Sequence, residues 1–183
     1  MKLSQGEKLI LLMLCEIQEH LKLKGDTNTE LIKEAIYSGN LWGLEWGMSG
    51  VFHDEETPPE VVSETCRILT MWERLEQSFK SLKPAEQEWL DQTVKPFGKD
   101  VEFPGFDGNV ESEYISAADF LVQHLGRFQP FKGRDLNGHF PSIDMHRRML
   151  PSFEKIYNQV LNKNFTVAQI AEVLKLQKHP DSD

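Results

Sequence analysis

Only two cysteines, Cys15 and Cys66, occur in 183 residues, and no short spacing pairs them. That sets aside a disulfide framework and a structural zinc site, and it points to a reducing cytoplasm. Long apolar runs are also missing. The longest, Leu9-Ile10-Leu11-Leu12-Met13-Leu14, is far short of the roughly 20 residues that cross a bilayer. Cys15, Glu16 and Ile17 follow it in place of a small-residue cleavage site, so a secretory leader does not fit. The large Leu12-Met13-Leu14 before the thiol argue against a lipoprotein cysteine. The expectation is a helix buried on most of its faces. Positive charge is in deficit, with 20 Lys and Arg against 29 Asp and Glu and a net charge of −9. That balance disfavours nucleic acid and anionic membranes and favours solubility. The familiar catalytic signatures are absent. Gly39, Gly43, Gly47 and Gly50 are not followed by Gly-Lys-Ser/Thr, so they form no phosphate loop, and neither His-Glu-x-x-His nor Gly-x-Ser-x-Gly occurs.

What is present is helical periodicity, with no convincing strand alternation and no internal repeat. The pattern predicts an all-α, bundle-like single domain of seven or eight helices over residues 1–178, with 179–183 as a disordered tail. Ser4-Gln5-Gly6-Glu7 reads as a capping box opening a helix to about Leu23, stopped near Gly25. A second helix starts near Asn28 or Thr29, buries Leu31, Ile32, Ala35 and Ile36, and ends around Gly39. Between residues 39 and 53, glycines alternate with Trp42 and Trp46. Each glycine costs a helix about 1 kcal/mol relative to alanine, so a short helical turn or an irregular segment held by the tryptophans is expected there.

Thr57-Pro58-Pro59-Glu60 then starts the most regular helix. Val61, Thr65, Ile68, Trp72, Leu75, Phe79 and Leu82 form its stripe, widened by Val62, Cys66 and Leu69. That width suits packing on two sides better than a narrow coiled-coil seam. Pro84 opens a short helix with Trp89, Leu90 and Val94, and Pro96 ends it. Asn109 is read as the cap of a helix over 110–125 whose inner face is Tyr114, Ala118, Leu121 and Leu125. From Ser142, a further helix presents Met145, Met149, Phe153, Ile156 and Val160 on one face, with a bend or restart expected at Pro151. Thr166 with Gln169 caps a last helix over about 167–178.

Candidate chemistry concentrates between Phe103 and Phe131, where the exposed-type turn Gly105-Phe106-Asp107-Gly108-Asn109 sits between aromatics. Asp107, Asn109, Glu111 and Glu113 alternate like the start of a calcium loop. The glycine and final glutamate of that pattern are replaced by Ser112 and Ala118. The preferred reading is a turn at Asp107-Gly108, a cap at Asn109, and Glu111 favouring the positive end of the helix that follows. His124 flanks an apolar stripe, and Arg127 could pair with Asp107 or Glu113. His146-Arg147-Arg148 is the compact basic cluster, near Lys132 and Arg134, and reads first as an exposed helix face. Asp107, Glu113, His124, Arg127 and Arg147 are therefore the candidate polar cluster, for a ligand or for structure. His53-Asp54-Glu55-Glu56 reads as a solvated acidic loop, and both thiols read as inert. No metal and no cofactor is expected.

Several ordered stretches resemble the YfbU family of bacterial proteins. They are Lys8-Leu9-Ile10-Leu11, Glu64-Thr65-Cys66-Arg67, Gly105-Phe106-Asp107 with Glu113-Tyr114, Phe120-Leu121-Val122 with Gly126-Arg127-Phe128, and Arg148-Met149-Leu150. The resemblance spans most of the chain and implies a soluble, mainly helical protein. It brings no catalytic residues to transfer, and residues 39–56 depart most from the family pattern. The leading functional reading is a non-enzymatic helical protein acting by association with itself or another protein. The alternative is a small-ligand protein or enzyme using a polar cleft around 103–131 and 146–148. Nucleic-acid regulation through the C-terminal helix is the weakest, because Lys178-His179-Pro180 stands where a recognition helix would have to follow.

Overall fold

A computed structural model describes residues 2–25, 27–48, 59–160 and 163–179. Among them are eight α-helices and no strand, apart from one isolated bridge between Phe106 and Asn137. The fold is all-α. The start signal at Thr57-Pro58, the acidic stretch at His53 and the end of the C-terminal tail lie outside the described residues.

The chain forms two compact units, Met1–Ser63 with Ser116–Lys132, and Glu64–Ile115 with Gly133–Asp183. The first unit is built on α1 (Gln5–His20), α2 (Thr29–Ser38) and α3 (Trp42–Gly47). Ser4 and Glu7 close the capping box of α1. That helix ends earlier than expected, with Leu21 as its cap and Lys22 taking the left-handed turn (φ 52°) that was assigned to Gly25. Asn28 caps α2, and Leu31, Ile32 and Ala35 form its buried face. In α3 the glycines have a packing reason. A Cβ on Gly43 would collide with the Phe120 ring, and one on Gly47 with the Leu31 side chain. Trp42 stands edge-on to both Trp46 and Phe120, at 5.1 and 5.4 Å between centroids.

The second unit is organised by α4 (Glu60–Lys80), α5 (Pro84–Thr93), α7 (Ile143–Val160) and α8 (Val167–Leu174). The stripe on α4 is buried at Thr65, Ile68, Leu69, Met71, Trp72 and Leu75, and it continues into two buried polar residues, Glu76 and Ser78. Leu90 and Val94 anchor α5 and its cap, while Trp89 stays 46 % exposed. On α7 the inner face is Ile143, His146, Met149, Leu150, Phe153 and Ile156, so the face read through Met145 and Val160 is rotated towards His146. The helix runs unbroken through Pro151, with no restart. The proline is exposed, so water can serve the carbonyl one turn earlier that loses its N–H partner. Thr166 and Gln169 form the capping box of α8 as expected.

The remaining helix, α6, spans Ser112–Asp119, not 110–125, and passes into a wider π turn over Phe120–His124. Asn109 does not cap it. The Asn109 backbone N–H instead donates to the Asp107 side chain at 2.7 Å, a tight turn two residues long. Val110 is left 70 % exposed outside the helix.

Candidate functional site

The Gly105–Asn109 segment is not the exposed turn its composition suggests, because Gly105, Phe106 and Asp107 are buried. The Phe106 backbone pairs with the 136–138 segment, donating to the Leu136 carbonyl at 2.9 Å and accepting from the Gly138 N–H at 2.7 Å. Gly105 allows this approach. Its φ is +84°, and a Cβ there would stand 2.5 Å from the Leu136 carbonyl oxygen. Buried backbone needs partners, and one carboxylate supplies several of them.

That carboxylate is Glu111. It accepts from the Asp107 N–H at 2.8 Å, from the Ser142 N–H at 2.7 Å and from the Ile143 N–H at 2.8 Å. Glu111 therefore serves the positive end of α7, not that of α6 as its sequence position implied. The N–H groups at the start of a helix have no intrahelical acceptor, and an anion there is favoured by the helix dipole. The Ser142 hydroxyl shares its proton between the Gly105 carbonyl at 2.8 Å and Glu111 at 3.1 Å.

One turn into α7, His146 is fully buried. The Trp72 indole N–H, which can only donate, points at its Nδ1 from 3.1 Å. The proton must then sit on Nε2, which lies 3.4 Å from the Gly105 carbonyl oxygen. Burial pushes the imidazole down to about 4, outweighing the pull of the Gly105 carbonyl and of Glu111 and Glu64. The ring is neutral and wedged among Trp72, Phe103 and Phe106.

The basic cluster thus divides, because consecutive residues on a helix point about 100° apart. His146 faces the core. Arg147 makes a two-pronged pair with Glu64 at 2.8 and 2.9 Å and reaches the Tyr114 hydroxyl at 3.0 Å. Arg148 donates to the Leu176 and Gln177 carbonyls at the end of the last helical turn. The reading of these three as one exposed face is corrected. The Tyr114 hydroxyl donates to Glu64 at 2.6 Å. Burial and the neighbouring Glu64 carboxylate raise the phenol to about 12. The Arg147 guanidinium holds Glu64 below the usual carboxylate range.

Glu76 is a buried anion that the stripe reading passed over. It takes Arg134 in a fork at 2.8 and 2.7 Å and accepts the Phe103 N–H at 2.9 Å. Its signal was visible, since position 76 continues the 65-68-69-72 spacing and carries a charge where the pattern demands an apolar residue.

Four of the five candidate residues hold partners outside their set. In the second unit, Asp107 serves the Asn109 N–H, Arg147 serves Glu64, and Glu113 is exposed on α6. In the first unit, His124 Nε2 lies 3.9 Å from Glu34, and the Arg127 guanidinium stacks 4.5 Å over Trp46. Cys15 is buried and its thiol pushed up by that burial. Cys66 lines an open groove of about 220 Å³ with Arg67, Thr70, Phe153, Glu154 and Tyr157. Among the described residues, no three His, Cys, Asp or Glu side chains gather as a metal site. No described helix is long and apolar enough to cross a membrane.

The largest departure from expectation is α1. Only Cys15 is buried in it, while Leu9, Ile10, Met13, Leu14, Ile17 and Leu21 are each between 50 and 59 % exposed. The run that looked buried on most faces presents an apolar stripe to solvent. Both sides of the helix are apolar, and α2 covers only one. Isolated exposed leucines are ordinary, whereas a contiguous exposed stripe of six is the informative kind of exception.

The sequence is similar to a relative whose name records no activity. A UPF0304 protein of the archaeon Methanocaldococcus jannaschii is 27 % identical over 121 residues, covering 60 % of this chain and 68 % of its own length. The model of the YfbU domain matches residues 1–175, nearly the whole sequence, and the chain belongs to the YfbU family.

Proposed function

We propose that this protein acts by association in the cytoplasm, not by catalysis, and that α1 is its docking surface. The exposed stripe of Leu9, Ile10, Met13, Leu14, Ile17 and Leu21 carries this reading. An amphipathic helix presents such a stripe when another polypeptide is to cover it. Two features support it. The polar groups most suggestive of chemistry, Glu111, His146, Ser142 and Glu76, are buried and spent on backbone and on one another. Both cysteines are free thiols, which suits a reducing compartment.

The test is a photo-crosslinking amino acid placed at position 17 in cells, with the exposed helical position 88 as control. A discrete crosslinked species specific to position 17, of any composition, is the expected result. The same faint smear from both positions would overturn the proposal.

A further inference from the structure

Two dipeptides in the second unit carry the same chemical liability. Asn137-Gly138 is the one Asn-Gly pair in the sequence, and Asp107-Gly108 is the one Asp-Gly pair. In each, the glycine has no side chain to hinder attack by its backbone nitrogen on the side-chain carbonyl carbon of the residue before it. In an unfolded chain such pairs close to a five-membered succinimide. The glycine nitrogen bonds to Cγ, and its proton leaves with the departing group. That group is ammonia from asparagine and water from aspartic acid. Water then opens the ring at either carbonyl, giving aspartate or isoaspartate.

The fold sets these two pairs against each other and occupies both nucleophiles. The Gly138 N–H donates to the Phe106 carbonyl at 2.7 Å. The Gly108 N–H donates to Asn137 Oδ1 at 3.1 Å. The groups under attack are held as well. Asn137 Oδ1 also accepts the His139 N–H at 3.0 Å, and the Asp107 carboxylate accepts the Asn109 N–H at 2.7 Å. A nitrogen whose hydrogen points into an acceptor, beside a side chain fixed by its own donors, cannot swing onto Cγ. Nor can Gly138 be exchanged for a safer residue, because a Cβ there would collide with the Pro104 carbonyl. We propose that Asn137-Gly138 and Asp107-Gly108 form one latent modification site, in which each pair is shielded by the segment that carries the other and both react when segments 105–109 and 136–138 part. Aspartate at 137 still offers an acceptor to both N–H groups. Isoaspartate adds a carbon to the main chain and so shifts the backbone that pairs with Phe106, which keeps the segments from closing again. The site is then a one-way record of opening, next to the Glu111 carboxylate that receives the Asp107 N–H and holds the start of α7.

The experiment holds the full wild-type chain in warm, near-neutral buffer, folded and across a urea series, beside a synthetic peptide of residues 135–147. Tryptic peptides are then separated and weighed. The 135–147 peptide contains Asn137 and no other asparagine, so its gain in mass on exchanging an amide for a carboxyl reports deamidation. Isomers of the 100–127 peptide, assigned by fragmentation, report isoaspartate at position 107. Deamidation should be at least about tenfold slower in the folded chain than in the free peptide, since it waits on a local opening. Both modifications should accelerate together as urea rises. Equal rates in the folded chain and the peptide would overturn the shielding, and acceleration at one position without the other would overturn the shared gate. Asn137→Ala removes the acceptor of the Gly108 N–H and should raise isoaspartate at 107 several-fold in a chain that circular dichroism shows to be folded. An unchanged rate there would overturn the reciprocal shielding; should the variant not fold, the wild-type urea series still decides.

Discussion

Two helices of similar length, α1 and α7, invert the usual arrangement of side chains. In α1 the largest apolar residues face water. In α7 a neutral histidine faces the core, and its N-terminus is held by a carboxylate from another segment. The difference lies in what each helix is packed against. The polar groups of α7 meet a loop whose buried backbone needs hydrogen bonds, so burying them satisfies both partners. The second apolar face of α1 has nothing to meet among the described residues of its own unit. A buried polar group and an exposed apolar one are the two informative exceptions to inside-outside patterning, and here they separate what holds the fold from the surface proposed for association.

The strongest test of the buried side is Glu111→Ala. It leaves the Asp107, Ser142 and Ile143 N–H groups without their acceptor in a region with little access to water. Each unsatisfied buried group costs about 1–3 kcal/mol, so a loss of roughly 3–5 kcal/mol is expected by urea denaturation. Glu111→Gln keeps the shape and one acceptor oxygen and should recover part of that loss. A loss under about 1 kcal/mol for the alanine variant would mean that water replaces the carboxylate and that the network does not hold α7 in place.

Next in size is the pH dependence from His146. Its folded value of about 4 lies below the ordinary 6.5. The unfolded chain therefore takes up a proton as pH falls below 6.5, while the folded chain does not. The stabilisation is fully present above pH 6.5 and is lost progressively down to about 4, amounting to about 3 kcal/mol. Glu64 acts in a different window. Its folded value is lowered, so its contribution holds above 4.5 and is lost as pH falls further. Between pH 6.5 and 5 a stability that rises with pH should therefore come from His146, because Glu73, whose carboxyl is raised by burial, slopes the other way. His146→Gln, which can still accept from Trp72 and donate to Gly105, should flatten the pH profile in that interval; an unchanged slope would place the titration elsewhere.

The half-exposed side of α7 should matter less. Arg147 joins Glu64 and Tyr114 with good geometry, but its side chain is 52 % exposed. Exposed ion pairs contribute about 0.2–1 kcal/mol, so Arg147→Ala is expected to cost no more than about 1 kcal/mol. A loss comparable to that of Glu111→Ala would mean that this triad, and not the buried network, secures α7.

How far these differences could be read in the sequence depends on whether the signal was local. Ser4-Glu7, Asn28 and Thr166-Gln169 act within one turn, and each caps the helix it was expected to cap. Glu111 was read by the same local logic and assigned to α6, but its partners lie 31 and 32 residues away in Ser142 and Ile143. Nothing near Glu111 in the chain records that link. The Gly105–Asn109 turn misled for the same reason. Its composition suits a surface turn, and its burial comes from the 136–138 segment lying against it. For His146, the period of α7 carried the information, since 143, 146, 149, 150, 153 and 156 form a better stripe than one through Met145. The expectation that a histidine beside two arginines is exposed obscured it. With α1, the apolar residues were plain, but a sequence does not say how many neighbours are available to cover them.

The smallest effect on folding should come from α1. Ile17 is half exposed in the folded chain, so Ile17→Asn removes little burial, and surface changes of this kind stay within about 0.5 kcal/mol. The same substitution places an amide in the centre of the proposed docking surface, where it would lose its water. For self-association the consequence should depend on concentration. If copies bind through α1, the folded state is stabilised by mass action, and the urea midpoint of the wild-type chain should rise as protein concentration increases. For Ile17→Asn the midpoint should stay flat and match the wild type at the lowest concentration. A midpoint that is lowered equally at every concentration would show that Ile17 supports the fold itself, and α1 would then differ from α7 only in how much of its surface is covered.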